Sequence, residues 1–216
     1  MKDTHVYTKK EEIVNAITHG IGVLLSITAL VFLVINAVQN GSAWHVVTFT
    51  IYGVTMILLY LSSTLVHSFP EGKLKDLFEI FDHSAIYLFI AGTYTPFTLI
   101  VINGALGWTL LGIVWGIAIA GIVFKSFFVK KFMFISTILY VAMGWLIVIG
   151  WQPLTDTLPT AGIVLLVAGG LLYTVGAVFY VWRGFTFHHA VWHLFVLAGS
   201  VTHFFSVLFY VTPIRV

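Results

Sequence analysis

Seven long apolar stretches run through this chain of 216 residues, and they restrict its possible folds more than any other feature. A helix needs about 20 apolar residues to cross the hydrocarbon core of a bilayer. Only 8% of the residues are charged, whereas about a quarter are charged in a soluble domain. The sequence therefore predicts an all-α integral membrane protein, a bundle of seven transmembrane helices. The predicted spans cover approximately residues 16–38, 44–67, 83–102, 107–128, 132–150, 160–181 and 189–212.

The composition also excludes several classes of protein. The net charge of +2 is too small to indicate a nucleic-acid partner, and the lipid bilayer is the expected environment. The chain has no cysteine, which excludes disulfides, thiolate metal ligands and a cysteine nucleophile. No polar block is large enough for a separate soluble domain. We therefore predict a short N-terminal segment, residues 1–15, and one transmembrane domain, residues 16–212.

The distribution of basic residues predicts the orientation, because cytoplasmic loops are enriched in Lys and Arg. With seven spans, the N-terminus shares a side with nine of the ten basic residues. The other side has only Arg215. The N-terminus is thus predicted to be cytoplasmic and the C-terminus outside, in a multi-pass protein of the cell membrane. The nine are Lys2, Lys9, Lys10, Lys73, Lys75, Lys125, Lys130, Lys131 and Arg183.

This topology places the polar ends of four spans in one layer near the cytoplasmic face. His189 and His193 are four residues apart, so their imidazoles share one face of a helix. Groups of this kind are costly to bury in a membrane without partners. The expected members of the layer are Glu12, Asn15, His19, Ser63, His67, Asp82, His83, His189 and His193.

Three histidines in this layer are candidate ligands of a Zn²⁺ ion. A catalytic zinc site has three protein ligands and an open position for water, and His67, His189 and His193 supply three imidazoles. The metal would lower the pKa of a bound water to about 7. Asp82 is placed to hold this water or to take its proton, and Ser63 lies on the same helical face as His67. The implied reaction is hydrolysis of an amide or ester, with a membrane lipid as the substrate.

Each of these residues also has a simpler interpretation. An isolated His-x-x-x-His pair is a weak motif, and Asp82 is equally suited to cap the N-terminus of the third span. Glu12 is expected to cap the first span or to neutralise a cation rather than to bind metal. His203 lies about 15 Å deeper than His193 and is expected to be a buried hydrogen-bond partner for Thr93 or Tyr94.

Further expectations concern the segments around the predicted spans. We expect a solvated loop between Ser68 and Asp82, because it contains Pro70, Gly72 and six charged residues. Pro96 removes a backbone donor and is expected to kink the third span. His5, His45 and His188 are expected at the membrane interface.

Several motifs in fixed order resemble the hemolysin III family, the bacterial branch of the progestin and adipoQ receptor superfamily. The likeness covers nearly the whole chain, from Glu11 to about Tyr210. The motifs are Glu12-x-x-Asn15-x-x-Thr18-His19, Ser63-x-x-x-His67, Phe81-Asp82-His83-Ser84, Gly92-Thr93-Tyr94-Thr95-Pro96-Phe97, His189-Ala190-Val191-Trp192-His193 and Leu197-Ala198-Gly199-Ser200-x-x-His203-Phe204.

The resemblance implies seven transmembrane helices, a cytoplasmic N-terminus and a zinc ion held near the cytoplasmic leaflet by His67, His189 and His193. It also implies that Asp82 positions the water of the metal. Relatives suggest a ceramidase-like hydrolase. The alternatives are a non-catalytic protein that perturbs membranes, as hemolysins do, or regulates the lipid or energy state of the membrane. A structural zinc site is a third possibility, although four protein ligands would be expected there.

Overall fold

A computed structural model describes residues 7–215, so the expectation for His5 and part of the predicted 1–15 segment lie outside the described residues. Seven helical spans are long and apolar enough to cross a membrane, which confirms the predicted fold class. Three of them are not α-helical throughout. The α-helices are α1 Lys9–Asn40, α2 Ala43–Ser68, α3 Lys73–Pro96, α4 Gly104–Phe128, α5 Met133–Trp145, α6 Trp151–Thr157, α7 Thr160–Val181 and α8 His188–Ser206.

The first helix begins earlier than the predicted span because its N-terminus is capped. Thr8 and Glu11 form a capping box, in which the backbone N–H of Thr8 donates to Glu11 Oε2 at 2.9 Å. The Thr8 hydroxyl oxygen accepts the backbone N–H of Glu11 in return, which satisfies a second free donor. Glu12 thus lies inside the first turn, with its side chain free to contact other helices.

The third span begins at Lys73, which is ten residues, or nearly three helical turns, before the predicted start. The expected loop from Ser68 to Asp82 is wrong, because only residues 69–72 connect α2 to α3. The charged residues continue α3 beyond the apolar span, and one of them, Asp76, pairs with Lys130 of the α4–α5 connection. Asp82 therefore lies within α3, and the interpretation of Asp82 as the N-cap is also wrong.

Three spans change helix type within the bundle, and the last of them continues beyond Ser206 as a π-helix, Val207–Val211. The third continues beyond Pro96 as a π-helix, Phe97–Ile102, because proline has no N–H for the α-helical ladder. The fifth consists of α5, a 3₁₀ turn over Leu146–Gly150, and α6. The Tyr94 hydroxyl lies at this break, where it accepts the Ile147 N–H at 2.7 Å and faces the carbonyl oxygens of α5. A buried side chain thus satisfies backbone groups that the irregular turn leaves free.

Small residues allow close contact between the first three spans. A Cβ atom on Gly22 would lie 2.4 Å from the Tyr60 ring, and one on Gly53 would lie 2.5 Å from Leu30. Glycines at such crossings permit the close backbone approach that stabilises helix pairs in lipid. His45, at the other end of α2, is 1% exposed and contacts Ser42 and the carbonyl of Val211, so its hydrogen bonds are within the protein, and its depth at the membrane interface stays a prediction.

Candidate metal centre

Three imidazoles converge where α2 ends and α8 begins. His67, His189 and His193 each place one ring nitrogen within 4.8 Å of the others, and all three side chains are buried. Their ring centroids are 4.5 to 5.3 Å apart. Among residues 7–215, this is the group of His, Asp and Glu side chains whose geometry could hold a metal ion.

Unpaired nitrogens in this group fit a metal ion. His67 Nε2 and His189 Nδ1 are buried and have no hydrogen-bond partner within residues 7–215. A buried polar atom without a partner costs about 1–3 kcal/mol, so two in one cluster call for a ligand. Three imidazoles form a donor set that suits zinc and other late divalent transition metals. The residues present therefore fit the metal that the sequence predicts.

Helix α1 supplies polar contacts to two of the three histidines. Glu12 Oε2 lies 2.5 Å from His67 Nδ1, while the other Glu12 oxygen accepts from Lys75 Nζ of α3. One face of α1 further along carries Thr18, whose Oγ1 lies 3.0 Å from His193 Nδ1. Glu12 thus neutralises a cation, as expected, and it also contacts a candidate metal ligand.

Asn15 and His19 occupy the same face of α1 but lie outside the group of three. Their side chains are buried, and their polar atoms have no hydrogen-bond partner among the described residues. The His19 ring stacks on that of His193 and meets Tyr60 edge-on, with 5.0 Å between the centroids. The two residues surround the site without converging on its centre.

Asp82 and Ser63 line the cavity onto which the three histidines open. Ser63 is 2% exposed and interacts with the Asp82 carboxylate. The same carboxylate interacts electrostatically with His83 and His67. The neighbouring His83 is held in place, because its Nδ1 donates to the carbonyl of Glu79 and the Tyr180 hydroxyl lies 3.1 Å from its Nε2. Eight of the nine residues of the layer predicted from the topology therefore line one cavity, and Asn15 is the exception.

The cavity extends from the histidines into the apolar part of the bundle. Its volume is about 350 Å³, within the range of ligand pockets. Apolar side chains such as Phe89, Trp192 and Val196 form much of the wall. Gly170 and His203 line the end of the cavity farthest from the three histidines. Ten residues of α8 separate His193 from His203, which corresponds to about 15 Å along the helix.

His203 is buried and hydrogen-bonded, but its partner differs from the expected ones. Its Nε2 lies 2.9 Å from the carbonyl oxygen of Leu166 on α7, and its ring meets Tyr173 edge-on. The proposed contacts with Thr93 or Tyr94 are therefore wrong. Nδ1 of His203 has no partner within the described part of the chain.

Residues near the start of the chain cover the end of the cavity at which the three histidines lie. Tyr7 packs against the rings of His67, His188 and His189 at centroid distances of 5.1 to 6.0 Å. Glu11 Oε1 accepts the backbone N–H of Phe187, which joins the start of α1 to that of α8. His188 is 1% exposed and lies under Tyr7, so it is buried within the protein, and its depth at the membrane interface stays a prediction.

Sequence reasoning missed three functional contacts: those of Tyr7, Thr18 and Lys75. Thr18 belongs to a recognised motif, so its helical spacing of three residues from Asn15 was an available signal. Lys75 was hidden by the wrong loop prediction. Tyr7 precedes the first helix and has no periodicity from which its position could be inferred.

The fold and the site define a multi-pass membrane protein with a buried three-histidine centre at one end of a seven-span bundle. Residues 7–204 match the family described as Haemolysin-III related. The chain belongs to this family, which confirms the membership expected from the motifs.

Individual relatives support the same assignment. The chain is 62% identical over 205 residues to the "Hemolysin-3 homolog" of Bacillus subtilis (strain 168), covering 95% of this chain and 96% of the relative. It is 60% identical over 204 residues to "Hemolysin-3" of Bacillus cereus, covering 94% and 93%. A weaker likeness, 29% over 206 residues, connects it to the human "Monocyte to macrophage differentiation factor", with coverage of 91% and 83%. No solved structure matches the chain.

Proposed function

We propose that this protein is a zinc-dependent hydrolase that cleaves an amide or ester bond of a membrane lipid at the cytoplasmic leaflet, as a ceramidase does. One observation carries the proposal. The three imidazoles lie within 4.8 Å of one another, beside the Asp82 carboxylate, and open onto a cavity that continues between the helices. A structural zinc site would need a fourth protein ligand, and the group contains three.

The residues divide the chemistry of hydrolysis between them. A zinc ion held by the three histidines would polarise the carbonyl and activate a water molecule. Asp82 accepts a proton from the attacking water and returns it to the leaving nitrogen or oxygen as the C–N or C–O bond breaks. The Ser63 hydroxyl orients the Asp82 carboxylate. The products are a fatty acid and an amine or alcohol.

The shape and lining of the cavity favour a lipid substrate. Its walls are mainly apolar between the histidines and His203, and the predicted topology puts this part of the bundle at the depth of acyl chains. A lipid with its scissile bond beside Asp82 would place an acyl chain along Phe89 and Val196. The apolar wall also keeps bulk water away from the bond, which strengthens the electrostatic interactions in the site.

The decisive experiment compares metal content and lipid hydrolysis in the purified protein. Wild-type protein should contain about one zinc ion per chain and release fatty acid from ceramide or ester-lipid vesicles. Asp82→Asn should retain the zinc and lose at least 100-fold in rate, because a general base typically contributes 10²–10⁴-fold. The matched control Asp156→Asn, on α6 at the opposite end of the bundle, should leave both quantities unchanged. Wild-type protein without metal, or unchanged hydrolysis in Asp82→Asn, would refute the proposal.

The names of the two bacterial relatives favour a second candidate, a protein that perturbs membranes without catalysis. Asp82→Asn separates the two functions. Release of haemoglobin from red cells that persists in this variant would assign lysis to the membrane protein itself, whereas a parallel loss would assign it to lipid hydrolysis. Lipid extracts of cells with and without the protein would show whether it regulates membrane lipid instead.

A further inference from the structure

Two residues of α1, Glu12 and Thr18, contact nitrogens of the candidate metal ligands that face away from the centre of the group. We infer that α1 is a positioning helix, in which Glu12 orients His67, Thr18 orients His193, and Lys75 fixes Glu12. This inference rests on the metal site of the proposed function, but it does not depend on hydrolysis.

The contact of Glu12 determines which nitrogen of His67 carries the proton. A carboxylate only accepts hydrogen bonds, so His67 Nδ1, 2.5 Å away, is the donor. The remaining nitrogen, Nε2, then has a free lone pair, and this atom has no partner among the described residues. Carboxylates that bind the outer nitrogen of a ligating histidine fix its tautomer and increase its basicity.

Lys75 completes this arrangement from α3. Its ammonium group binds the second oxygen of Glu12, so both oxygens of the carboxylate are fixed by partners on different helices. The side chains of Glu12 and Lys75 are only 17% and 16% exposed, so neither charge is fully solvated. An ion pair with so little solvation is held in one geometry, whereas ion pairs on an open surface are mobile.

Thr18 acts in the same way on His193. Its hydroxyl proton is directed at the carbonyl oxygens of Val14 and Asn15, both 2.9 Å away. Because these carbonyls only accept, the Thr18 oxygen is left to accept the Nδ1–H of His193 at 3.0 Å. Nε2 of His193 therefore keeps its lone pair for a metal. Glu12 and Thr18 are six residues apart, which is about 120° around the helix, so they lie at the two edges of the buried face of α1, Glu12 toward α2 and Thr18 toward α8.

The zinc dissociation constant, measured by competition with a chelator in detergent micelles, tests this inference. Loss of an outer partner typically weakens metal affinity 10–100-fold. We expect a loss of this size in Glu12→Gln and in Thr18→Val, whereas Thr18→Ser retains the hydroxyl and should bind zinc as wild type does. Lys75→Met should weaken affinity less than Glu12→Gln, because the contact with His67 remains.

Two matched controls separate orientation from general packing. Glu71→Gln removes a second carboxylate, whose oxygen lies 3.4 Å from Lys75 Nζ. The Glu71 side chain is 84% exposed and has no described contact with His67. Thr28→Val removes a threonine of α1 whose hydroxyl bonds only to the carbonyl of Leu24 among the described contacts. Both should leave zinc affinity unchanged. In addition, Glu12→Gln should cause no further loss of affinity in a His67→Ala background.

The outcomes distinguish this inference from the hydrolase proposal. Zinc affinities of Glu12→Gln and Thr18→Val that equal wild type would overturn the inference and leave the hydrolase proposal intact. The reduced affinities would support it even if wild-type protein hydrolyses no lipid. A lower thermal midpoint of the metal-free variants without a change in affinity would show a purely structural role. If Glu12→Gln does not fold, the comparison of Thr18→Val with Thr18→Ser decides.

Discussion

The rings of His19 and His193 stack almost in parallel, with 3.4 Å between their centroids and 13° between their planes. The ring plane of His19 therefore lies beside that of His193, and His19 is not part of the group whose nitrogens lie within 4.8 Å of one another. His19 is thus a fourth imidazole at the site without the geometry of a fourth ligand.

This relationship predicts different effects of two histidine substitutions on metal content. His19→Phe keeps an aromatic ring against His193 and Tyr60, so about one zinc ion per chain should remain. His193→Ala removes a ligand, and most of the metal should be lost. Elemental analysis of the purified variants measures both. Loss of metal from His19→Phe would instead assign His19 to the coordination sphere and favour a structural site.

The contact between α2 and α3 predicts that Gly92→Ala is destabilising. A Cβ atom at this position would lie 1.9 Å from Thr55 Oγ1 and 2.9 Å from Thr55 Cβ. Thr55 Cβ is fixed to the backbone of α2, so the helices must separate, at a cost of about 1–3 kcal/mol. The midpoint of thermal unfolding in micelles should fall accordingly.

Gly112→Ala is the matched control for this substitution. A Cβ atom on Gly112, in α4, would meet nothing within 4 Å. Alanine is the better helix former, so this variant should be as stable as wild type or more stable by up to about 1 kcal/mol. If both variants shifted the midpoint equally, helix propensity rather than contact between spans would explain the result.

Tyr7 predicts a loss of stability at alkaline pH. Burial over the histidines raises the pKa of its phenol above the ordinary value near 10, and the carboxylates of Glu12 and Asp82 act in the same direction. Above pH 10 the unfolded chain has lost a proton that the folded chain retains, so the free energy of unfolding falls as the pH rises. One such group contributes a slope of up to about 1.4 kcal/mol per pH unit.

The Tyr7→Phe variant tests this linkage. Its unfolding free energy, measured between pH 9 and 11, should fall less steeply than that of wild type. Lys130, whose pKa is raised by its hydrogen bond to Asp76, loses its stabilising charge in the same range. The comparison is therefore best made in a Lys130→Met background. Equal slopes with and without the Tyr7 hydroxyl would contradict the prediction.

Filling the cavity should block a lipid without removing the metal. The first carbon of a side chain at Gly170 would lie 3.6 Å from the Trp145 ring, an ordinary contact, and the rest of a leucine would occupy the cavity. Gly170→Leu should reduce lipid binding at least tenfold at unchanged zinc content. Leu171→Phe changes the neighbouring residue, which is 51% exposed, and should have no effect on binding. Equal lipid affinities in all three proteins would exclude this cavity as the lipid site.

The predicted orientation is accessible to direct labelling, because the natural chain contains no cysteine. We expect an impermeant maleimide to label Asp156→Cys on intact cells. Lys131→Cys, in the connection between α4 and α5, should react only after the membrane is opened. The reverse pattern would place the N-terminus and the histidines on the outer side of the membrane.

The sequence was sufficient to predict the seven spans and the meeting of His67 with the two histidines of α8. Hydropathy gives the number of spans, alternation of direction gives the depth of each residue, and a spacing of four places His189 and His193 on one helical face. These properties depend on composition and helical repeat. They therefore require no knowledge of how the helices are arranged around the bundle axis.

Contacts that depend on helix rotation could not be predicted in this way. His203 contacts Leu166 because α7 lies behind α8, and neither hydropathy nor spacing reports which helices are neighbours. The bond between Glu12 and Lys75 required α3 to begin ten residues before its apolar part. Charged residues that continue a helix beyond the membrane resemble a loop when hydropathy alone is considered.

The three histidines come from distant parts of the chain, His67 from the second span and His189 and His193 from the last. A membrane protein is synthesised from its N-terminus, so His67 enters the bilayer while two of its partners have not yet been translated. Capture of a metal by all three histidines would therefore be a late event in biogenesis. A ribosome that stops before α8 leaves a chain with only one of the three histidines, so a bound metal would mark the molecules whose insertion has been completed.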